Sequence, residues 1–199
     1  MASERQANLS ILCKSRMIWG HTVNGVVILE TSAIIAKTMA GLGGTHLLPT
    51  PKKFTVMAGT AEGPTRLNAF DNALLAAGIG NLNLLRVSSI LPPNAEEVET
   101  FQMAPGSLLP TAYGTITSEE PGALISAAVA VGIGRPDEYG VIMEFSGHCS
   151  REEAAATVEM MARQAFEQRG RDLERVVVRA VEHRVEAIGC AFAAVALWY

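Results

Sequence analysis

Gly78-Ile79-Gly80-Asn81-Leu82-Asn83-Leu84-Leu85-Arg86-Val87-Ser88-Ser89-Ile90-Leu91-Pro92-Pro93 is the stretch on which the reading of the chain turns. Between positions 81 and 87 polar and apolar residues roughly alternate and end on a β-branched valine, the pattern of a short strand. Two adjacent serines close it. Pro92 and Pro93 then stop it, because neither can donate to a sheet ladder. A residue before proline is pushed toward extended backbone, so residues 89–91 should leave the strand stretched rather than coiled. Taken alone, a serine pair at a strand end is ordinary turn chemistry.

Upstream, residues 54–58 read as a strand and residues 59–64 as a glycine-rich loop without the lysine-serine ending of a phosphate loop. Thr65 is placed to cap a helix whose Leu67, Phe70, Leu74 and Ala77 recur at helical spacing, and Gly78 suits its end. Asp71, next to Phe70, is expected near the edge of that apolar face. Downstream, residues 94–106 are polar and acidic, a surface loop. Residues 108–117, 123–132 and 138–145 are strand-like and separated by Pro/Gly turns; the small residues of the middle run suit burial on both faces. Ser150 and Glu153 form a capping box opening a second helix, with Ala154, Val158, Met161, Ala165 and Phe166 on its inner stripe and Gly170 at its end. Residues 173–186 and 188–199 read as two final strands. Many strands with two substantial helices predict an α+β sandwich with helices outside a sheet core.

The bulk numbers narrow the function. A chain of 199 residues is sized for one domain, and 49% hydrophobic against 18% charged residues predicts an extensive core. A net charge of −4 leaves no basic footprint for nucleic acid. Three scattered cysteines (Cys13, Cys149, Cys190) suit a reducing compartment, hence a cytoplasmic setting, better than a disulfide framework. Without CxxC or His-x-x-x-His spacing, no metal is expected. After Lys53 there is no lysine, so residues 54–199 offer nothing to hold pyridoxal phosphate.

Residues 1–50 stand apart as an N-terminal extension, expected to be poorly ordered or a mis-assigned start with Met39 as an alternative initiator. Their apolar runs are broken by charges well short of the ~20 residues of a membrane span, and no signal-peptide pattern is present. Residues 51–199 are the expected functional domain.

Five separated blocks in this domain carry a resemblance: Asn81-Leu82-Asn83-Leu84 through Val87-Ser88-Ser89-Ile90-Leu91-Pro92-Pro93; Leu67-Asn68-Ala69-Phe70-Asp71; Leu109-Pro110-Thr111-Ala112-Tyr113-Gly114; Gly140-Val141-Ile142-Met143-Glu144; and the tail Gly189-Cys190-Ala191-Phe192-Ala193-Ala194-Val195-Ala196-Leu197-Trp198-Tyr199. In this order they resemble the pyruvoyl-dependent arginine decarboxylases. The resemblance implies a four-layer α/β/β/α sandwich, assembled as a homotrimer with sites between neighbouring subunits.

It also implies a chemistry. Decarboxylating an amino acid leaves electrons on the α-carbon, and a carbonyl condensed with the amine takes them up. A serine within the chain can become that carbonyl by attacking the preceding peptide bond. The resemblance places the break between Ser88 and Ser89, giving fragments 1–88 and 89–199, with Ser89 converted to the pyruvoyl group. Such a break requires strain or polarisation at the Ser88 carbonyl, and the strand end before the proline pair is where it is expected. Glu144 matches the acid that protonates the α-carbon; on a strand it shares a face with Ile142, so burial should raise its pKa. Asn83 matches a residue assisting cleavage and holding the substrate backbone. Asp71 matches the carboxylate that pairs with the guanidinium of L-arginine. Alternatives are another amino acid, such as histidine, as substrate, or a non-processed, non-catalytic trimeric binding protein of the same fold. His148, Cys149, Tyr113, Trp198 and Tyr199 read as structural, and Glu182, His183 and Glu186 as a solvated strand face.

Overall fold

The computed structural model describes residues 9–13, 16–23, 26–29 and 48–199, in two units, Met1–Pro49 and Thr50–Tyr199. In the first unit β1 (Leu9–Cys13), β2 (Arg16–Val23) and β3 (Val26–Leu29) form an antiparallel sheet in the order β1-β2-β3. The apolar runs noted near the start of the sequence fall in β1 and β3. Met39, the alternative initiator, lies outside the described residues.

The second unit is built on two sheets. One has five strands in the order β5 (Asn83–Arg86), β8 (Leu108–Ser118), β12 (Gly189–Trp198), β4 (Lys53–Glu62) and β7 (Glu96–Glu97). The other has four, β11 (Arg175–Arg184), β9 (Leu124–Ile133), β10 (Gly140–Gly147) and β6 (Ile90–Leu91). Helix α1 (Arg66–Ala76) covers the outer face of the first, and α2 (Arg151–Gln168) that of the second.

Strand alternation explains the layers. On β12, Ala191, Ala193, Val195 and Leu197 point between the sheets, where they meet Phe54, Ala127, Val129, Val131 and Ile142. The intervening Cys190, Phe192, Ala194 and Ala196 point outward onto Ala69, Ala73 and Leu74 of α1. On β9 the outward Ala128 and Ala130 meet Ala154, Val158 and Ala162 of α2. Both strands are covered on both faces, so both are runs of small and β-branched residues. The four layers are α/β/β/α, the arrangement implied by the sequence resemblance.

Ser150 and Glu153 form the expected capping box at the start of α2. Thr65 caps α1, accepting from the Asn68 amide, and Gly78 follows its end at φ +84°, a left-handed position suited to glycine. Three expectations need correction. Residues 59–62 are not loop: β4 runs on to Glu62, because Gly59 is where α1 lies against the strand, and a Cβ there would meet the Ala73 carbonyl at 2.4 Å. Leu67 is not on the inner face of α1; it is 75% exposed, and the face against the sheet is made by Ala69, Ala73 and Leu74. On α2 the buried position is Ala162, with Met161 half-buried beside it.

His183 is likewise not on a solvated face. Its Nε2 lies 2.6 Å from Glu62 Oε1, and the same carboxylate accepts from the amides of Glu186 (3.0 Å), Ala187 (3.1 Å) and Ile188 (2.8 Å). Burial on its own would raise this carboxyl, but these hydrogen bonds outweigh it and bring the pKa down to about 2. Glu62 therefore clasps the turn between β11 and β12 to the end of β4.

Candidate active site

The quoted stretch carries the chain from one sheet to the other. β5 lies parallel to β8, and the pairing continues one residue further, the Val87 amide donating to the Thr111 carbonyl at 3.1 Å. Two residues later the chain belongs to the opposite sheet: Ser89 O accepts from the Ile142 amide at 2.8 Å, and Ile90 and Leu91 pair antiparallel with Val141 and Gly140. Leu91, 3% exposed, anchors the new strand in the core between the sheets. The Ser88–Ser89 peptide bond thus lies between two fixed ends, one in each sheet.

Two contacts at this bond have chemical meaning. The Ile90 amide donates to Ser88 O at 3.1 Å, closing a three-residue turn around Ser89. It sits where negative charge would develop if the Ser88 carbonyl carbon were attacked. The Ser89 hydroxyl donates to Glu144 Oε2 at 3.3 Å. Polarisation is therefore the local feature. Among the described non-glycine residues only Asn94 has left-handed backbone (φ 57°), so the strain expected at the serines is not present in that form.

Glu144 is positioned by β10, where it lies opposite Val129 of β9 and shares the inter-sheet face of Ile142. Close to it the sheets approach tightly: a Cβ on Gly114 would lie 2.7 Å from the Phe145 carbonyl, and the Ser146 hydroxyl donates to Thr115 O at 3.0 Å. Burial pushes the Glu144 carboxyl above the usual range, and the Ser89 hydroxyl and Arg86 charge offset only part of that.

Asp71 and Asn83 lie elsewhere in the chain. Asp71 is exposed on α1, in the outer layer, rather than at the edge of the helix's apolar face. Asn83 opens β5, five residues before Ser88, roughly 16 Å away at strand spacing. Its side-chain amide donates to Gly106 O at 2.7 Å. Within one chain Ser88, Ser89 and Glu144 come together, and Asp71 and Asn83 do not.

The sequence reading missed Arg86. Its guanidinium lies over the Tyr113 ring, Cζ 4.5 Å from the centroid, and Nη2 donates to Tyr113 O at 3.1 Å. Tyr113 in turn packs on Phe192 at 5.3 Å. The only available signal was strand alternation, which puts Arg86 and Ser88 on one face. Cys149 is structural as expected, its Sγ 3.0 Å from the Ser126 hydroxyl. Among the described residues no cluster of three or more His, Cys, Asp and Glu has the geometry of a metal site.

A family model described as pyruvoyl-dependent arginine decarboxylase matches residues 53–199. The protein of that name from Methanocaldococcus jannaschii is 55% identical over 150 residues, 75% of this chain and 91% of the relative. That from Thermococcus kodakarensis is 47% identical over 151 residues, 75% of this chain and 96% of the relative. A solved pyruvoyl-dependent histidine decarboxylase overlaps 49% of this chain and 52% of its own at 20% identity and a TM-score of 0.41; the layer order above is read from the sheets themselves.

Proposed function

Because the chain belongs to the pyruvoyl-dependent arginine decarboxylase family, we propose that it converts L-arginine to agmatine and CO2 with a carbonyl made from its own Ser89. The contact that carries this reading is the Ser89 hydroxyl on Glu144, 3.3 Å apart, at the peptide that joins the two sheets. Arginine is favoured over histidine because the similar proteins bear the arginine name. A non-processed binding protein would have no use for a hydroxyl, a carboxyl and an amide donor gathered on one peptide bond.

Self-cleavage proceeds as follows. Glu144 takes the Ser89 hydroxyl proton and Oγ attacks the Ser88 carbonyl carbon. The Ile90 amide steadies the charge on Ser88 O, a contact of a kind worth about 10²–10³ in rate. The Ser88–Ser89 C–N bond breaks with proton uptake by nitrogen, leaving an ester through Oγ and a free amine on residue 89. Loss of the Cα proton then breaks the Cβ–Oγ bond, so that Ser88 departs as a carboxylate and residue 89 becomes dehydroalanine. Water hydrolyses this to the pyruvoyl group and releases ammonia.

The pyruvoyl group supplies the electrophilic carbonyl that takes up the electrons left when CO2 departs. Glu144 holds a proton on its carboxyl for the substrate α-carbon. Its pKa moves in the useful direction on cleavage, since Oγ leaves with Ser88 and the hydroxyl that lowered it is gone. Asp71 pairs with the substrate guanidinium through two parallel hydrogen bonds, and Asn83 holds the substrate backbone.

These last two act across a subunit boundary in a homotrimer. Supporting this, the exposed stripe of α1 sets Asp71 between Leu67 and Leu75, 75% and 50% exposed, a surface better suited to burial against a neighbour than to water. No helix among the described residues is long and apolar enough to cross a membrane. The free thiols of Cys149 and Cys190 suit the cytoplasm.

Mass spectrometry of purified protein should give fragments 1–88 and 89–199, the second beginning in a pyruvoyl group, and agmatine should form from arginine in preference to other amino acids. An intact chain with an unmodified Ser89 would end the proposal. Refolding Asp71→Ala and Ser89→Ala chains together should restore activity that neither has alone; no recovery would place Asp71 outside the neighbour's site.

A further inference from the structure

Self-cleavage creates a charge that the precursor does not have. When Ser88 departs with Oγ, the fragment 1–88 ends in a carboxylate at an exposed residue next to Ser89, whose hydroxyl bonds Glu144. An uncompensated anion there would repel an ionised Glu144 and loosen the end of β5. The surrounding charges narrow what can compensate it. No lysine occurs after Lys53. Arg86 is the cation whose field reaches Glu144.

Arg86 is also built for the task. The chain is extended from β5 through Val87, so Arg86 and Ser88 share a face and their Cα atoms are about 6.6 Å apart, within reach of an arginine side chain. The guanidinium is aimed forward along β8: Arg86 is paired with Thr111, but its Nη2 bonds the carbonyl of Tyr113, two residues on, over whose ring it lies. The Tyr113 carbonyl takes one of its five N–H groups, and Arg86 forms no side-chain ion pair within 4 Å among the described residues. The stacking holds the plane still while Nε and Nη1 stay available, the geometry a planar carboxylate uses.

We infer that Arg86 is a positioning residue that captures the new Ser88 carboxylate after self-cleavage and keeps the cut end of β5 docked on β8. The inference rests on cleavage at Ser88–Ser89 as proposed above. In the precursor Arg86 is held by Tyr113 alone, and it becomes an ion-pair partner in the mature protein.

The test compares Arg86→Gln in two backgrounds, the self-cleaving chain and the uncleavable Ser89→Ala chain, by amide hydrogen exchange over residues 83–88. In the cleaved protein the substitution should speed exchange at Val87, whose amide bonds Thr111 O, about threefold, the effect of losing one exposed ion pair. In Ser89→Ala it should change exchange less than twofold, and Arg86→Lys should fall between. The KM for arginine and the inhibition constant of agmatine, which lacks the carboxylate, should shift together. Equal exchange changes in both backgrounds would reduce Arg86 to a stacking residue and overturn the inference. A rise in arginine KM with agmatine inhibition unchanged would assign Arg86 to the substrate carboxylate instead. Loss of cleavage in Arg86→Gln would place its role before the cut. A wild-type chain that stays whole would reject the cleavage reading itself, and is told apart from these outcomes by mass.

Discussion

In the mechanism proposed above Glu144 accepts a proton from Ser89 once and afterwards donates one at every turnover, so its surroundings have to change between the two tasks. Its place on the inter-sheet face supplies a standing bias toward the protonated form, and the Ser89 hydroxyl moderates that bias only until it is consumed. Because the pKa is raised, the donating form is full at low pH and is lost as pH rises through the folded value. The alkaline limb of kcat should therefore lie above the ordinary carboxylate range. Glu144→Gln should slow self-cleavage and, in the fraction that is cut, remove that limb and lower kcat per pyruvoyl group by roughly 10²–10⁴, as loss of a general acid does; rate profiles normalised to pyruvoyl content decide it. Glu62 has the opposite sign. Its folded pKa of about 2 lies below the ordinary 4.5, so its stabilisation is complete above pH 4.5 and drains away as pH falls toward 2. Glu62→Gln should lower the melting temperature by on the order of 5 °C at neutral pH. The difference between variant and wild type should close by about pH 2 in melting curves.

Among the elements, α1 depends on how closely it approaches β4. Gly59 faces the Ala73 carbonyl and the Ala77 amide across distances that no side chain tolerates, 2.4 and 2.6 Å from an added Cβ. Gly59→Ala should cost about 2–3 kcal/mol, because backbone rather than a flexible side chain must move. Urea unfolding would show a lower midpoint with an unchanged slope. The same contact explains what the sequence made legible and what it hid. The cap at Thr65, the Ser150–Glu153 box and the alternation on β9 and β12 are local signals, and each strand and helix they announced is present. The inner face of α1 is a tertiary matter: a helix pressed onto a strand presents alanines, so Leu67 is left outside although its spacing points inward. Ser89 and Glu144, 55 residues apart, could be paired from sequence only through the family blocks. Arg86 stayed hidden because its partner, the Tyr113 carbonyl, is a backbone atom on another strand.

At the scale of the whole molecule, the crossing strand divides the fold in an unusual way. The segment before Ser88 supplies β4, α1 and β5, whereas β12, flanked by β4 and β8, comes from the segment after it. With the bond severed as proposed above, the five-stranded sheet is woven from two polypeptides that no covalent link returns to each other. Folding before the cut is a one-body search. Recovery from denaturant afterwards begins with an encounter between two fragments, so regain of protomer structure should slow with dilution, while in Ser89→Ala only the later subunit assembly should do so across a hundredfold range. Ageing in this protein would then be asymmetric: each molecule can be assembled intramolecularly once, and every later rescue depends on how crowded its fragments are.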